Sequence, residues 1–193
     1  MKILAISGSL RSGSQNSQLL RVAGELLPPP AELEVWEGLR EVPPYDQDDD
    51  VEPAPPAVAA LRAAVASADA VLISTPEYSS SIPGALKNAL DWASRPLATN
   101  VFRGKPVAVI GSSAGMFGAV WAQAELRKVL GAMGARVAEV EVAVGRAAEK
   151  FDGEGNLIDE EIREQLADAV AVLVLEAEVN RTAGAESPLP VAA

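Results

Sequence analysis

Ser7-Gly8-Ser9-Leu10-Arg11-Ser12-Gly13-Ser14-Gln15-Asn16-Ser17 is a polar segment between a short apolar run at residues 3–6 and a helical pattern that begins near Leu19. A strand, a turn of small residues and a helix start form an anion site, because free backbone N–H groups and the positive end of the helix dipole point into the turn. Five serines add hydroxyl donors, and Arg11 adds a permanent charge that suits phosphate oxygens. The segment therefore predicts a phosphate site.

The type of phosphate follows from what this segment lacks. It has no Gly-Lys-Ser/Thr ending, as nucleoside triphosphate loops have, and the spacing of Gly8 and Gly13 does not fit the dinucleotide signature. A hydroxyl-rich turn with one arginine suits a lone phosphate monoester, such as that of a mononucleotide. The alternative is an ordinary strand–helix turn in which an N-cap serine binds nothing.

Composition limits the chemistry that the chain can perform. With 193 residues, 49% hydrophobic and 22% charged, it is the size of one domain, which we place at residues 1–181 with a flexible tail at 182–193. A net charge of −11 disfavours nucleic acid as a partner, because no basic stripe replaces counterions. There is no cysteine and no histidine, which excludes thiol chemistry, imidazole bases and ordinary zinc sites. We find no leader or membrane segment and expect a cytoplasmic protein without metal.

Strand and helix patterns alternate along the chain. Strands are predicted at 3–6, 33–36, 68–74, 106–110 and 135–144, and helices at 16–27, 55–67, 82–94, 118–133 and 159–178. Strict alternation of this kind predicts an α/β fold: a doubly wound, flavodoxin-like five-stranded parallel sheet of order 2-1-3-4-5 with helices on both faces. The loops that follow strands 1, 3 and 4 then line one crevice at the carboxyl edge of the sheet.

The second and third of these loops carry the remaining candidate residues. Residues 75–81 read Thr-Pro-Glu-Tyr-Ser-Ser-Ser, and residues 111–118 read Gly-Ser-Ser-Ala-Gly-Met-Phe-Gly. A phosphate site beside an aromatic, polar turn suits a ligand with a phosphate at one end and a flat ring at the other. The alternatives are that Tyr78 covers the sheet edge, that Glu77 serves the dipole of a helix starting near Ser81, and that residues 111–118 form an ordinary turn.

Together these residues resemble the NADPH-dependent FMN reductase family of flavodoxin-like flavoproteins. The resemblance rests on residues 8–17, on Pro76-Glu77-Tyr78, and on residues 81–92, which read Ser-Ile-Pro-Gly-Ala-Leu-Lys-Asn-Ala-Leu-Asp-Trp. It implies FMN as cofactor and NADPH or NADH as co-substrate. The implied cofactor-binding residues are Ser9, Arg11, Ser14, Asn16 and Ser17 for the phosphate, and Pro76, Glu77, Tyr78, Ser79, Ser112, Ser113 and Gly115 for the ring. The family usually has asparagine where Ser79 stands, which leaves the ring's hydrogen bonds open.

The resemblance also implies an activity and a partner. The chain would pass a hydride from NADPH to FMN and then to a quinone, flavin, azo compound or metal oxyanion by a ping-pong mechanism, with no protein residue as acid or base. It would form a homodimer or homotetramer through the helix at 82–94, with Trp92 and Arg95 at the interface unless Trp92 lies in the chain's own core. Two other functions stay open: a one-electron carrier that does not oxidise NADPH, and a flavin-free nucleotide-binding module.

Overall fold

The computed structural model describes residues 1–186, in which strands and helices alternate as predicted. The strands are β1 (Lys2–Ser7), β2 (Glu32–Trp36), β3 (Ala70–Thr75), β4 (Pro106–Ser112), β5 (Arg136–Val137) and β6 (Ala143–Val144), and the helices are α1 (Gln15–Leu26), α2 (Pro56–Ser67), α3 (Gly84–Ala93), α4 (Val120–Ala132) and α5 (Glu160–Glu186). All strand pairs are parallel, in the order β2-β1-β3-β4-β5. The predicted doubly wound sheet is confirmed.

Helices cover both faces of the sheet. Leu19 and Leu20 of α1 pack with Leu166 and Leu173 of α5 in one core cluster, while α2, α3 and α4 supply the other. Every residue of β3 and β4 is buried. This explains why the central strands read as continuous apolar runs instead of alternating patterns.

The fifth strand differs from the prediction, because residues 135–144 form two short strands, β5 and β6, that both pair with β4. The Arg127 side chain of α4 lies at the break. Its Nη2 donates to the carbonyl oxygens of Val140 at 2.7 Å and Val109 at 3.2 Å. Because the guanidinium binds these two carbonyls, they do not form the backbone hydrogen bonds of a regular strand pair, and the strand is interrupted.

The prediction that Trp92 lies at a subunit interface is wrong. Its side chain is fully buried in the chain's own core, and its indole N–H donates to the carbonyl of Pro43 at 2.9 Å. Helix α5 continues through Thr182–Glu186, which the sequence analysis assigned to a tail. The rest of that predicted tail, 187–193, lies outside the described residues. Among the helices of residues 1–186, none is both long and apolar enough to cross a membrane.

Candidate cofactor site

The loops that follow β1, β3 and β4 meet at a cleft of about 450 Å³. This volume lies within the range of small-molecule and cofactor pockets. Nine of the twelve predicted cofactor-binding residues line it: Ser9, Arg11, Ser14, Asn16, Pro76, Glu77, Tyr78, Ser112 and Ser113. Residues that are far apart in sequence thus come together where the strand order predicts a ligand.

The other three predicted residues lie beside the cleft wall. Ser17 lines an adjoining groove and donates its hydroxyl to Ser7 Oγ at 3.0 Å. Ser79 and Gly115 belong to the two remaining loops but are not lining residues. The sequence reasoning missed Gln15 and Ala114, which do line the cleft. The position of Gln15, directly after the N-cap serine, is the signal that would have found it.

The first loop is organised around the start of α1. Ser14 is the N-cap residue, and its hydroxyl accepts the N–H of Asn16 at 3.2 Å. Arg11 donates through Nη2 to the Gly13 carbonyl and to Gln15 Oε1, both at 2.7 Å. The guanidinium is therefore fixed at the positive end of α1. Its other nitrogens have no partner within residues 1–186, which suits a bound anion.

Asn16, which lines the cleft, ties α1 to the ends of β3 and β4. It is 4% exposed, and its amide N–H donates to the Ser112 carbonyl at 3.0 Å. Its amide oxygen accepts from Ser74 Oγ at 2.8 Å and from the Ser112 N–H at 3.0 Å. The oxygen thus uses both of its lone pairs inside the protein. The geometry makes Asn16 a link between α1, β3 and β4.

The second loop is fastened to the start of α4. Glu77 Oε2 accepts the backbone N–H groups of Trp121 and Ala122, each at 3.1 Å. Glu77 therefore does serve a helix N-terminus, but that of α4 and not the following helix that the sequence suggested. Ser81 donates its hydroxyl to Glu125 of α4 at 2.5 Å. A carboxylate at the positive end of a helix is stabilising, so these contacts hold the loop at both ends.

Between these contacts, residues 78–81 form a tight turn. Tyr78 and Ser81 exchange backbone hydrogen bonds of 3.0 and 3.1 Å. The central residues, Ser79 and Ser80, have φ values of 52° and 60°. Two consecutive residues with positive φ are typical of a type I′ turn, which asparagine and glycine adopt more readily than serine. The turn is therefore strained, and the contacts on either side maintain it.

The third loop packs closely on the chain around β6. Gly118 has a φ of +60°, and a Cβ there would lie 2.3 Å from the carbonyl carbon of Ala143. The N–H of Ser113 donates to the Val144 carbonyl, and that of Ala147 to the Ser113 carbonyl, both at 3.0 Å. Glycine at position 118 is thus required by both backbone conformation and space. These contacts with the chain around β6 hold the third loop in place.

The residues of the cleft fit FMN on two grounds. Hydroxyls and a guanidinium gather at a helix N-terminus on one side, as a phosphate requires. On the other side, Ser112 lines the cleft, and its buried Oγ has no hydrogen-bond partner within residues 1–186. A buried hydroxyl without a partner is costly, and a polar ring edge would satisfy it.

Comparison with known proteins agrees with this geometry. Residues 1–149 match the family described as NADPH-dependent FMN reductase. The chain is 43% identical to an NAD(P)H-dependent FMN reductase of Pseudomonas aeruginosa, covering 91% of this chain and 94% of that protein. It is 38% identical to a 2-hydroxy-1,4-benzoquinone reductase of a Burkholderia species, covering 86% and 90%.

Among solved structures, the chain is similar to a flavoenzyme NAD(P)H:(acceptor) oxidoreductase of Paracoccus denitrificans. The two share 36% of their residues and superpose with a TM-score of 0.83, over 93% of this chain and 98% of that one. The predicted flavodoxin-like fold is therefore confirmed.

Proposed function

The chain belongs to the NADPH-dependent FMN reductase family, and on that premise we propose how its cleft works. The residues at the start of α1 would hold the phosphate of FMN, and the loops that follow β3 and β4 would hold its ring. NADPH or NADH then supplies the hydride, and a small molecule takes the electrons. The observation that carries this proposal is the convergence of Arg11, Tyr78 and Ser112 on one cleft.

The protein's own part is to bind and to orient. Arg11 would offset the charge of the phosphate, Ser9 and Ser14 would donate hydroxyl hydrogen bonds to it, and Ser17 supports this loop through its bond to Ser7. Ser112 and Ser113 would border one edge of the ring, with Gly115 further along the same loop, while Pro76, Glu77 and Tyr78 would border the other, with Ser79 next in the same turn. FMN, when bound, supplies the hydride chemistry itself, so no acid or base is needed from the chain. This suits a protein with no histidine or cysteine.

We propose a ping-pong mechanism for the acceptor step. In this order, the nucleotide and the acceptor use the same cleft in turn, so the oxidised nucleotide leaves before a quinone, flavin, azo compound or metal oxyanion takes its place. Initial rates measured against both substrates should give parallel double-reciprocal lines. Intersecting lines would require both substrates to bind together and would rule this order out.

The first test is a spectrum of the purified protein with added FMN, followed by NADPH without oxygen. Bleaching of the flavin bands in a single two-electron step is the expected result. Bound flavin that stays oxidised would favour the one-electron carrier. A protein that does not bind FMN would favour the flavin-free nucleotide-binding module. Arg11→Ala should weaken FMN binding by about 1.5–3 kcal/mol, while Arg11→Lys should retain part of it. Unchanged affinity in Arg11→Ala would contradict the phosphate assignment.

We further propose a homodimer or homotetramer that works in the cytoplasm. Four large apolar side chains near the cleft are about half exposed or more: Tyr78, Met116, Phe117 and Trp121. The rings of Phe117 and Trp121 meet edge to face at 5.1 Å. A second copy of the chain would cover this surface, which differs from the helix at 82–94 that the resemblance implied. Trp121→Glu should lower the molar mass measured by light scattering to that of one chain, and an unchanged mass would place the interface elsewhere.

A further inference from the structure

A second groove, of about 310 Å³, adjoins the cofactor cleft on the side of β2. Ser9 and Arg11 line both, so the two spaces meet at the phosphate loop. The groove adds the hydroxyls of Ser12 and Ser17 and the side chain of Arg40. Because Arg11 is assigned to the phosphate of FMN, it is Arg40 with these hydroxyls that makes the groove a second place that suits a phosphate.

Arg40 is held at this groove by the fold. It lies in a short 3-10 turn, Gly38–Glu41, that follows β2 directly. Its Nη2 donates to the Leu10 carbonyl at 2.7 Å, which keeps the exposed guanidinium against the phosphate loop. This bond uses one of its three nitrogens and leaves a charged edge for a ligand.

Two other arginines, Arg95 and Arg103, lie at the opposite edge of the sheet. The ligand cleft is at the carboxyl edge, and α3 runs from there back to the amino edge. Arg95 follows the end of α3, and Arg103 comes just before β4. The Arg103 side chain donates to the Leu97 carbonyl, and Arg95 lies over the Tyr45 ring at 5.9 Å. Of these three arginines, Arg40 alone is at the carboxyl edge.

The groove also lies where the far end of a dinucleotide would reach. A nicotinamide on the flavin ring would sit near β3 and β4, and β2 lies two and three strands further along the sheet. With neighbouring strands about 5 Å apart, this is a span of about 10–15 Å. The Trp36 side chain, at the end of β2, lines the groove and offers an aromatic surface to a base.

We propose that this groove binds the 2′-phosphate of NADPH and that Arg40 is the residue that distinguishes NADPH from NADH. The inference rests on the proposed function of the neighbouring cleft. Glu37 and Glu41 line the same groove. Their carboxylates would repel a phosphate once Arg40 has been removed. The binding of the 2′-phosphate therefore depends more strongly on Arg40.

The test uses the FMN-loaded Arg40→Gln variant. For NADPH, kcat/KM should fall about 10- to 100-fold, as expected for the loss of one charged hydrogen bond, while NADH should change less than about twofold. Glu41→Gln should shift the ratio toward NADPH. Arg103→Gln is the matched control, because that arginine also donates to a carbonyl but lies at the opposite edge, and it should alter neither value. FMN affinity, measured by fluorescence, checks that the phosphate loop is intact.

A binding measurement tests the same groove without turnover. Calorimetry should detect tighter binding of adenosine 2′,5′-bisphosphate than of 5′-AMP to the wild type, and Arg40→Gln should abolish that difference. Equal losses with both dinucleotides, no loss with either, or no preference for the bisphosphate would overturn the proposal. If the wild type oxidises neither dinucleotide, the proposed function fails, while the calorimetry still decides whether the groove reads a 2′-phosphate.

Discussion

Replacing Asn16 with alanine should destabilise the protein before any cofactor is added. The side chain is buried and makes three hydrogen bonds, one to Ser74 and two to the backbone of Ser112. The sequence predicted Asn16 as a phosphate ligand, a role in which its loss would weaken FMN binding and leave the apo-protein nearly intact. The two roles therefore give different results in one experiment.

The magnitude follows from the groups left without partners. In Asn16→Ala, the Ser112 N–H, the Ser112 carbonyl and the Ser74 hydroxyl each lose a bond in a buried place. A buried polar group without a partner costs about 1–3 kcal/mol. Rotation of the Ser74 hydroxyl and entry of water would reduce the sum, so we expect a loss of about 3–5 kcal/mol. For a chain of this size, that is a fall in Tm of about 6–20 °C.

Urea unfolding of the apo-protein, followed by circular dichroism, measures this loss directly. Asn16→Asp is the informative second variant, because its carboxylate keeps both acceptor bonds but faces the Ser112 carbonyl without a donor. Ser17→Ala, on the same helix with one hydroxyl bond, is the control and should change the free energy of unfolding by less than about 0.5 kcal/mol. A loss below about 1 kcal/mol in Asn16→Ala, with weakened FMN binding, would refute the structural role and support the ligand role.

Three further predictions concern other contacts. Glu77→Ala should lower the free energy of unfolding by about 1 kcal/mol. Glu77→Gln should lower it less, because its amide oxygen still accepts from the N–H groups of α4. Equal losses in the two variants would argue against this contact. Ser80→Gly should raise the free energy of unfolding by about 0.5–1 kcal/mol, and with it the urea midpoint, because glycine adopts the positive φ without strain. A lower midpoint would contradict the strained turn. The hydrogen bond from Lys150 holds the pKa of Asp159 below its ordinary 3.8, so this stabilisation is present above that value and is lost as the pH falls through the lowered pKa. Asp159→Asn should therefore flatten the dependence of unfolding free energy on pH below about pH 5, and an unchanged slope would exclude this pair as its source.

The sequence predicted the fold, and the loops that meet at the candidate cleft, for physical reasons. Strands buried on both faces must be apolar throughout, so β1, β3 and β4 stand out from the helices between them. Once the strand order is known, the position of the ligand at the carboxyl edge follows. Most of the predicted cofactor-binding residues line the observed cleft because their loops directly follow those strands.

What could not be predicted depends on contacts between residues that are distant in the chain. The break in the fifth strand comes from Arg127, a helical residue whose pattern is that of any surface arginine. The burial of Trp92 depends on the loop that contains Pro43, and the partners of Glu77 lie 44 and 45 residues further on. Local spacing contains no information on such pairs, since they exist only after the sheet has assembled.

The contacts of Glu77 also connect the cofactor site to the proposed interface. Its carboxylate binds the N–H of Trp121, and the side chain of Trp121 is 49% exposed on the surface that we assign to a second copy. Ser79 and Ser80, the strained part of the same loop, are held between this contact and the bond from Ser81 to Glu125. A second chain that packs on Trp121 would therefore fix the start of α4 and, through Glu77, the turn that borders the flavin ring. Strain of this kind persists only where the surrounding contacts maintain it. The two serines can therefore keep their positive φ values because the loop is fastened to α4 on both sides.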